Sequence, residues 1–398
     1  MRIQTPWKFI LGTLLLGSCT KNEVLPDEWY ACTLDAEGSQ PEMHPKNEEY
    51  QYILDTHRPQ GLVGAQLCIW DEHGIWTGGD GWSDVASAVP VTPCQPFLIA
   101  SISKVFTAAA AYRLADQGML DVESPLSSWL DAETLDNIAN AEEVNISDLL
   151  SHRSGIPDFY TLAFELARIN RLEQGWSKAD VLDFVRGRPA THEAGSSYHY
   201  SNTNYLLLSM VLESATGKSL EDIYHDEVFT PLELGSAHYS EQHPIPQGCA
   251  KGYVDIYGNG NFVESEFLYR DELGIGGDGG IAMNALDVTL FFEALTNQEF
   301  LSQESQEKMS SWFDLPTEWT FDDGTLSQFQ NGFGLEAYDT PYGRAIGHTG
   351  GIDGFLSIAL HLPQRKTSLT LLVNSAGHAR GNESMSEIIG EALQLIHE

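Results

Sequence analysis

The feature that most constrains the fold is the placement of strand patterns at both ends of the chain. Residues 61–70 and 74–82 are rich in β-forming residues and are joined by a turn sequence, which predicts a hairpin. Near the other end, apolar residues alternate with small or polar ones over 356–362, which predicts a strand with one buried face, and 367–374 predicts another. This order suggests one sheet built from both ends of the chain.

Helical patterns fill most of the sequence between these strands. An apolar stripe over 102–117 predicts a helix that stops before Gly118. A second strong pattern covers 203–216, and an amphipathic helix is predicted over 383–397. The middle of the chain is therefore expected to be a helical insertion into the sheet domain.

The size and the net charge of the chain limit the functions that it can have. A chain of 398 residues that is 42% hydrophobic can build a large core, in one domain or in two lobes. Its 57 acidic residues outnumber its 21 basic ones, which gives a net charge of −36. A surface of this charge repels nucleic acid and anionic lipid headgroups, so neither is expected as a partner.

The first residues have the pattern of an export signal. Arg2 and Lys8 precede a short apolar run over 9–17 that is too short to span a bilayer. The run ends before Cys19 in a sequence that resembles the lipobox of bacterial lipoproteins. That resemblance implies a signal peptide over 1–18, cleavage before Cys19 and lipidation of its sulfur. The alternative is an ordinary signal peptide with an incidental cysteine.

This signal predicts where the protein resides. We expect a lipoprotein of the bacterial cell envelope that faces the periplasm and contacts the membrane through the lipid on Cys19. Thr20 follows the cysteine, where aspartate would resemble an inner-membrane retention signal, so the outer membrane is the expected destination in a Gram-negative host. Residues 19–48 are polar, contain several prolines and predict a tether to a domain over 49–398.

The remaining cysteines leave the disulfide pattern open. Export permits disulfides, and four cysteines allow three full pairings among Cys32, Cys68, Cys94 and Cys249. The chain has no Cys-x-x-Cys pair, which argues against a structural zinc site. We expect neither a metal nor a cofactor.

Ser-x-x-Lys begins at three positions, and context distinguishes them. Ser18 is removed with the signal peptide, and Ser305 lies in a polar stretch that predicts a solvated helix start. Ser101 instead lies where the apolar segment 97–100 meets the predicted helix. There it has unpaired backbone N–H groups nearby, and a partly desolvated Lys104 on the same helix face can accept its proton. Alternatively, Ser101 only caps the helix and Lys104 is solvated.

Tyr-x-Asn occurs twice. Tyr257 and Asn259 lie in a turn sequence, which indicates a structural role. Tyr200 and Asn202 directly precede the predicted helix over 203–216. A phenol there can carry protons if a nearby cation favours its phenolate. Asn202 can hydrogen-bond to Lys104 and to a substrate amide. The alternative is a helix-capping asparagine beside a packed tyrosine.

A third motif, His348-Thr349-Gly350, leads into the predicted strand over 356–362 through Gly351. Glycines here let a substrate backbone lie along the strand edge. The N–H groups of Gly351 and Ser101 are then expected to form an oxyanion hole. The alternative is a glycine-rich turn into a strand.

The three motifs in this order resemble the active site of class C β-lactamases, D-Ala-D-Ala carboxypeptidases and related esterases. Segments 149–157, 276–282 and 347–357 are similar to further parts of that family, and the likeness covers about residues 49–398. The resemblance implies an α+β, β-lactamase/transpeptidase-like fold, in which an antiparallel sheet is flanked by helices. It places the α/β lobe at about 49–118 and 266–398 and an all-helical lobe at about 119–265, with the site in the cleft between them.

The resemblance also implies residue roles. Ser101 attacks a carbonyl and becomes acylated, while Lys104 and Tyr200 share the proton transfers, and which of the two is the immediate base stays open. Tyr200 then activates the water that releases the acyl group. The residues expected to bind substrate are Asn202, His348, Thr349, Gly350 and Gly351.

His348 narrows the expected substrates. It stands where the β-lactamase pattern has lysine, and a neutral histidine supplies no permanent cation for a substrate carboxylate. Arg344 and Arg270 are candidates for that missing charge. We expect a D-Ala-D-Ala carboxypeptidase-like peptidase or an esterase acting on a small peptide or ester, with at most weak activity on β-lactams. The alternative is a non-catalytic or slowly turning over penicillin-recognising receptor of the same fold.

Overall fold

The computed structural model describes residues 41–171, 175–270, 273–297, 300–321, 323–377 and 379–398. The predicted signal peptide and Cys19 lie outside the described residues. Cys94 is disulfide-bonded, whereas Cys68 and Cys249 have free thiols. Within the described ranges, no helix combines the length and apolarity needed to cross a membrane.

A nine-stranded antiparallel sheet forms the centre of the molecule. Its strand order is β3-β2-β1-β13-β12-β11-β10-β9-β8, so strands from both ends of the chain meet where β1 pairs with β13. A two-stranded sheet joins β4 to β7, and a three-stranded sheet has the order β14-β5-β6. The strands are β1 (Gly64–Asp71), β2 (Gly74–Asp84), β3 (Val89–Pro90), β4 (Phe97–Leu98), β5 (Tyr253–Val254), β6 (Val263–Glu264), β7 (Ala282–Met283), β8 (Phe313–Thr320), β9 (Ser327–Asn331), β10 (Glu336–Thr340), β11 (Gly343–Ile352), β12 (Phe355–Leu362), β13 (Thr367–Val373) and β14 (Ser375–Ala376).

Helices occupy both sides of this sheet and the insertion between its two halves. The described α-helices are α1 (Asn47–His57), α2 (Ser103–Asp116), α3 (Ala132–Leu135), α4 (Ile146–Leu150), α5 (Leu162–Asn170), α6 (Lys178–Leu182), α7 (Asn202–Thr216), α8 (Leu220–Tyr224), α9 (Glu266–Tyr269), α10 (Ala285–Thr296), α11 (Gln303–Met309) and α12 (Ala379–His397). In the helical lobe, α7 packs on α4 and α8, and both α7 and α8 pack against α2. This architecture confirms the predicted fold class.

Both faces of the central strands are buried. On one face, α1 and α12 enclose an apolar cluster with Ile358 and Leu360, while α10 packs against β12 and β13 on the other. The strand predicted over 356–362 is confirmed, but the prediction that only one of its faces is buried is wrong. The second face carries Ser357 and His361, which resemble solvent-facing residues in the sequence but are buried. His361 Nδ1 lies 3.3 Å from a carboxylate oxygen of Glu293 on α10, which satisfies its polarity.

Two local predictions differ from the structure. Residues 41–48, assigned to the tether, lie against the domain, because His44 is buried and its Nε2 is 3.1 Å from an Asp71 carboxylate oxygen. Ser305 is buried rather than solvated, and its hydroxyl donates a 2.6 Å hydrogen bond to Asp116. The helix there begins at Gln303, with Ser302 as its N-cap.

Candidate active site

Ser101 lies in a short 3-10 turn, Ala100–Ile102, between β4 and α2. Ala100 has a φ of 49°, a left-handed conformation that is uncommon for a residue with a side chain. The turn is held in place because the carbonyl of Ile99 accepts a 2.7 Å hydrogen bond from the Ser357 hydroxyl on β12. The nucleophile candidate is therefore fixed to the central sheet as well as to its own helix.

Lys104 lies one turn further along and is completely buried. Its Nζ donates hydrogen bonds to Ser101 Oγ, at 3.0 Å, and to the carbonyl of Asp278, at 2.6 Å. Burial lowers the pKa of Lys104 to about 8, while the negative charges of Asp278, Asp158 and Glu336 act in the opposite direction. The structure thus contradicts the alternative of a solvated lysine beside a capping serine.

Tyr200 completes the group around Ser101. Lys104 Nζ lies 5.1 Å from the centre of its ring, and the imidazole of His152 stacks on it with ring centres 4.4 Å apart. Removal from water raises the pKa of Tyr200 well above its usual value, although a hydrogen bond with Ser101 opposes this. The predicted condition, a cation that favours the phenolate, is therefore not met, and Tyr200 is a neutral phenol in this site.

His152 is a neutral residue that links Tyr200 to the start of α7. Its Nδ1 accepts hydrogen bonds from the Ser201 N–H and from the Asn204 amide, both at 3.2 Å. Burial lowers the pKa of His152 well below its usual value, and the charge of Lys104 acts in the same direction. An Nδ1 that accepts hydrogen bonds in a neutral imidazole leaves the proton on Nε2.

Asn202 is the first residue of α7, and Ser201 is its N-cap. Both the backbone N–H and the side-chain amide of Asn202 donate to Asp158, at 3.0 and 3.3 Å. Among the described residues, the hydrogen bonds of Lys104 Nζ go to Ser101 and Asp278, so the expected contact between Asn202 and Lys104 is wrong. The side-chain amide of Asn202 instead donates to Asp158.

The third motif lies on β11 beside the Ser101 turn. His348 is buried, its Nδ1 is 3.7 Å from a Glu336 carboxylate oxygen, and burial lowers the pKa of His348, so the imidazole is neutral. The Thr349 N–H donates to the same carboxylate at 3.2 Å. A Cβ added to Gly350 would lie 2.5 Å from the Ile99 carbonyl oxygen and 3.0 Å from Ser101 N, which explains why glycine is needed there.

Four of the eight predicted active-site residues line one cavity of about 240 Å³: Ser101, Tyr200, Asn202 and Gly351. Thr349 and Gly350 line a second cavity of about 740 Å³, which Gly351 also lines. Lys104 and His348 are buried, and neither lines the first cavity. The three motifs therefore meet at one place, but only some of their residues are exposed to the cavity beside Ser101.

Three carboxylates near Lys104 were missed by sequence reasoning. They are Asp158, Asp278 and Glu336, and each acts on the charge of the buried amine. Asp278 lies within the glycine-rich segment 276–282, and Asp158 directly follows segment 149–157. Both carboxylates are therefore in or next to segments that resemble the family. Glu336 had no sequence signal, because it reaches the site only through the pairing of β10 with β11.

The two arginines considered as substrate ligands contact side chains other than the predicted active-site residues. The Arg344 guanidinium lies over the Trp312 ring, 4.7 Å from its centre, and Arg270 forms a 3.0 Å ion pair with Glu266. Neither lines the cavity beside Ser101. Within the described ranges, no group of three or more His, Cys, Asp or Glu side chains is arranged to hold a metal ion.

This geometry agrees with a family relationship. Residues 51–394 match the sequence profile of the family described as Beta-lactamase. The chain belongs to the beta-lactamase family. The predicted resemblance is thereby confirmed, and the match covers the sheet domain together with its helical lobe.

Relatives within the family carry several names. The chain is 28% identical to Penicillin-binding protein 4* of Bacillus subtilis over 73% of its own length and 63% of that protein. It is 25% identical to a D-aminopeptidase of Brucella anthropi over 81% of its length and 58% of that protein. The chain thus spans about three fifths of these relatives. The D-amino acid amidase of Ochrobactrum anthropi superposes with a TM-score of 0.75 and 25% identity, covering 88% of this chain and 100% of the amidase.

Proposed function

We propose that the protein is a serine hydrolase that works through an acyl-enzyme on Ser101. The observation that carries this proposal is the 3.0 Å hydrogen bond between Ser101 Oγ and a buried Lys104 whose pKa is lowered to about 8. A lysine with this pKa is partly neutral near neutral pH, so its amine can accept the hydroxyl proton as the oxygen attacks a carbonyl.

The environment of the two basic candidates favours Lys104 as the immediate base. Burial lowers the pKa of Lys104, which makes the proton-accepting form more accessible. The same burial raises the pKa of Tyr200, which makes its proton-accepting form less accessible. In the proposed mechanism, Lys104 takes the serine proton, and the phenol of Tyr200 passes a proton from Lys104 to the leaving group.

The remaining steps use the backbone around the cavity. The tetrahedral oxyanion accepts hydrogen bonds from the N–H groups of Ser101 and Gly351, both of which belong to the cavity wall. When it collapses, the bond to the leaving amine or alcohol breaks, and the acyl group stays on Ser101. Water then attacks this ester and gives its proton to Lys104 through Tyr200, which releases the acid and regenerates the serine.

We propose small amides, peptides or esters as substrates. The relatives named D-aminopeptidase and D-amino acid amidase support amides and peptides as the substrate class. The neutral His348 supplies no cation for a substrate carboxylate, and neither Arg344 nor Arg270 lines the cavity beside Ser101. We therefore expect carboxypeptidase and β-lactamase activities, which use such a carboxylate, to be weaker than the activity on other amides, peptides and esters.

A turnover assay on the full chain tests this proposal. The chain should hydrolyse a chromogenic ester. Ser101→Ala should abolish this turnover without changing the temperature of thermal unfolding. Ser305→Ala is the matched control, because Ser305 and Lys308 repeat the Ser-x-x-Lys spacing outside the cavity. Turnover that survives Ser101→Ala overturns the proposal. A burst of one equivalent without further turnover favours the penicillin-recognising receptor instead.

We also propose that the chain is exported and anchored through Cys19. The support is the sequence alone: a basic start, a short apolar run and a lipobox-like end before Cys19. Labelled palmitate should enter the wild-type protein in a bacterial host and should be lost in Cys19→Ala. Equal labelling of both proteins would contradict lipidation at this residue.

A further inference from the structure

The cavity beside Ser101 is largely apolar but carries one charge. Its wall contains aromatic and aliphatic side chains: Phe159, Tyr160, Phe164, Leu273, Ile275 and Ile352. Among the described residues that line it, Asp278 is the only charged one. The cavity therefore offers a surface for an apolar group together with one carboxylate.

Asp278 is held by a firmly anchored segment. The Thr107 hydroxyl donates to the carbonyl of Gly277 at 2.6 Å, and Lys104 Nζ donates to the carbonyl of Asp278 at 2.6 Å. The Tyr239 hydroxyl donates to the carbonyl of Gly276 at 3.3 Å. Because three buried side chains fix successive carbonyls, the backbone at Asp278 has a fixed position beside the nucleophile, and its side chain starts from the wall of the cavity.

The surrounding charges favour a cationic ligand. One buried amine, Lys104, faces three carboxylates, those of Asp278, Asp158 and Glu336. His348 is neutral, since its burial lowers its pKa. Because these carboxylates outnumber the single amine, the cavity disfavours a substrate carboxylate, whereas an ammonium group would form an ion pair with the Asp278 carboxylate and lower its pKa, which burial raises.

We propose that Asp278 binds the protonated α-amino group of the substrate, so that the preferred substrates are amides, peptides or esters of amino acids with a free amino end and an apolar side chain. This rests on the proposed acyl-enzyme on Ser101. One substrate can place its amino group near Asp278 and its carbonyl near Ser101, because an α-amino nitrogen is two covalent bonds from the attacked carbonyl carbon. The backbone of Asp278 is joined to Ser101 Oγ through a single Lys104 amine, by bonds of 2.6 and 3.0 Å.

Matched substrates test the proposal on the full chain. The p-nitrophenyl esters of phenylalanine, of N-acetylphenylalanine and of 3-phenylpropionate share the aromatic group and the leaving group. Only the first carries an ammonium. We expect kcat/KM for the free amine to exceed that for the other two by about tenfold or more near neutral pH, after subtraction of spontaneous hydrolysis.

A variant then assigns the preference to one residue. Asp278→Asn should remove most of the preference for the amine, measured as the ratio of kcat/KM for the amine ester to that for 3-phenylpropionate. The ratio cancels any change in the basicity of Lys104, because both substrates use the same base. The control is Glu72→Gln, which removes one negative charge from a side chain that is 86% exposed, and should leave the ratio unchanged.

The outcomes separate this inference from the proposed function. If Asp278→Asn lowers both rates equally, or if the wild type has no preference for the amine, the amine site is wrong although the hydrolase stands. If no ester is turned over in a Ser101-dependent way, the proposed function itself fails. A preference for the amine that persists in Asp278→Asn also overturns the assignment to Asp278.

Discussion

At the scale of single residues, the site is organised by removal from water. Lys104 and Tyr200 are both desolvated, but burial moves their pKa values in opposite directions, because one is charged when protonated and the other when deprotonated. The charges of Asp278 and Asp158 keep the pKa of Lys104 from falling further. This balance is the physical reason for assigning the base to the lysine.

The pH dependence of the reaction follows from Lys104. In the proposed mechanism the neutral amine is the active form, so kcat/KM should rise with pH through about 8 and fall at lower pH as Lys104 becomes protonated. Lys104→Met should lower kcat/KM by about 10²–10⁴-fold. Steady-state rates across the pH range, with a substrate that does not titrate, measure both effects. An unchanged acid limb in an active Lys104→Met variant would rule out the lysine as base.

His152 is expected to act as a positioning residue through Tyr200. His152→Phe keeps a flat ring for stacking but removes the Nδ1 acceptor of the Ser201 and Asn204 hydrogen bonds. We expect kcat to fall by about tenfold to a hundredfold with little change in KM, because the phenol loses its fixed position. His152→Gln, which retains an acceptor, should recover part of the rate.

The control for this change is His199→Phe. His199 is exposed, and its backbone N–H donates to the carbonyl of His152, so its ring is outside the stack. Equal losses of kcat in His152→Phe and His199→Phe would mean that the imidazole of His152 has no special role.

At the scale of elements, the site depends on the close approach of β11 to the turn that carries Ser101. Gly350 lies at the contact point, and an added Cβ would meet the Ser357 hydroxyl at 2.4 Å and the Ile99 carbonyl at 2.5 Å. These two atoms form the hydrogen bond that ties the turn to β12. The strand and the nucleophile therefore cannot be separated without disturbing the sheet.

Gly350→Ala should destabilise the protein by about 1–3 kcal/mol, because the methyl group overlaps backbone and a buried hydroxyl. Gly351→Ala is the control for stability, since its Cβ would meet nothing closer than Leu356 at 3.5 Å. Urea unfolding of the two variants measures the difference. Equal urea midpoints of the two variants would show that the structure accommodates a methyl group at position 350 without a loss of stability.

The sequence predicted several of the longest helices and strands, but not what surrounds them. The hairpin of β1 and β2, the helix α7 and the strand β13 were predictable, because each has its own periodicity and its own turn signals. The burial of both faces of β12 was not predictable, since serine and histidine resemble a solvated face until α10 covers them. In the same way, the position of Glu336 near Lys104 depends on strand register, which no local pattern encodes.

At the scale of the whole molecule, a buried ion pair joins the two lobes near the cavity. Arg168 on α5 of the helical lobe donates a 2.7 Å hydrogen bond to Asp353 in the turn between β11 and β12. It also contacts the carbonyl of Leu268. Since Ile352 beside it lines the cavity, this contact fixes the distance between the two walls of the site.

Arg168→Met should therefore weaken the junction of the lobes. We expect a loss of about 1–3 kcal/mol in the free energy of unfolding, less than for a fully buried pair because the Asp353 side chain is 33% exposed. Lys218→Met is the control, because Lys218 and Asp226 form an exposed pair, with side chains 48% and 54% accessible. A change as small as that of Lys218→Met would mean that Arg168 is not needed to join the lobes.

The central claim, an acyl-enzyme on Ser101, is tested most directly by mass spectrometry of the intact protein quenched in acid during turnover of a slow ester. We expect a mass increase equal to one acyl group, located on the peptide that contains Ser101 and absent from Ser101→Ala. Turnover with no covalent adduct at any time, or an adduct on another residue, would contradict it.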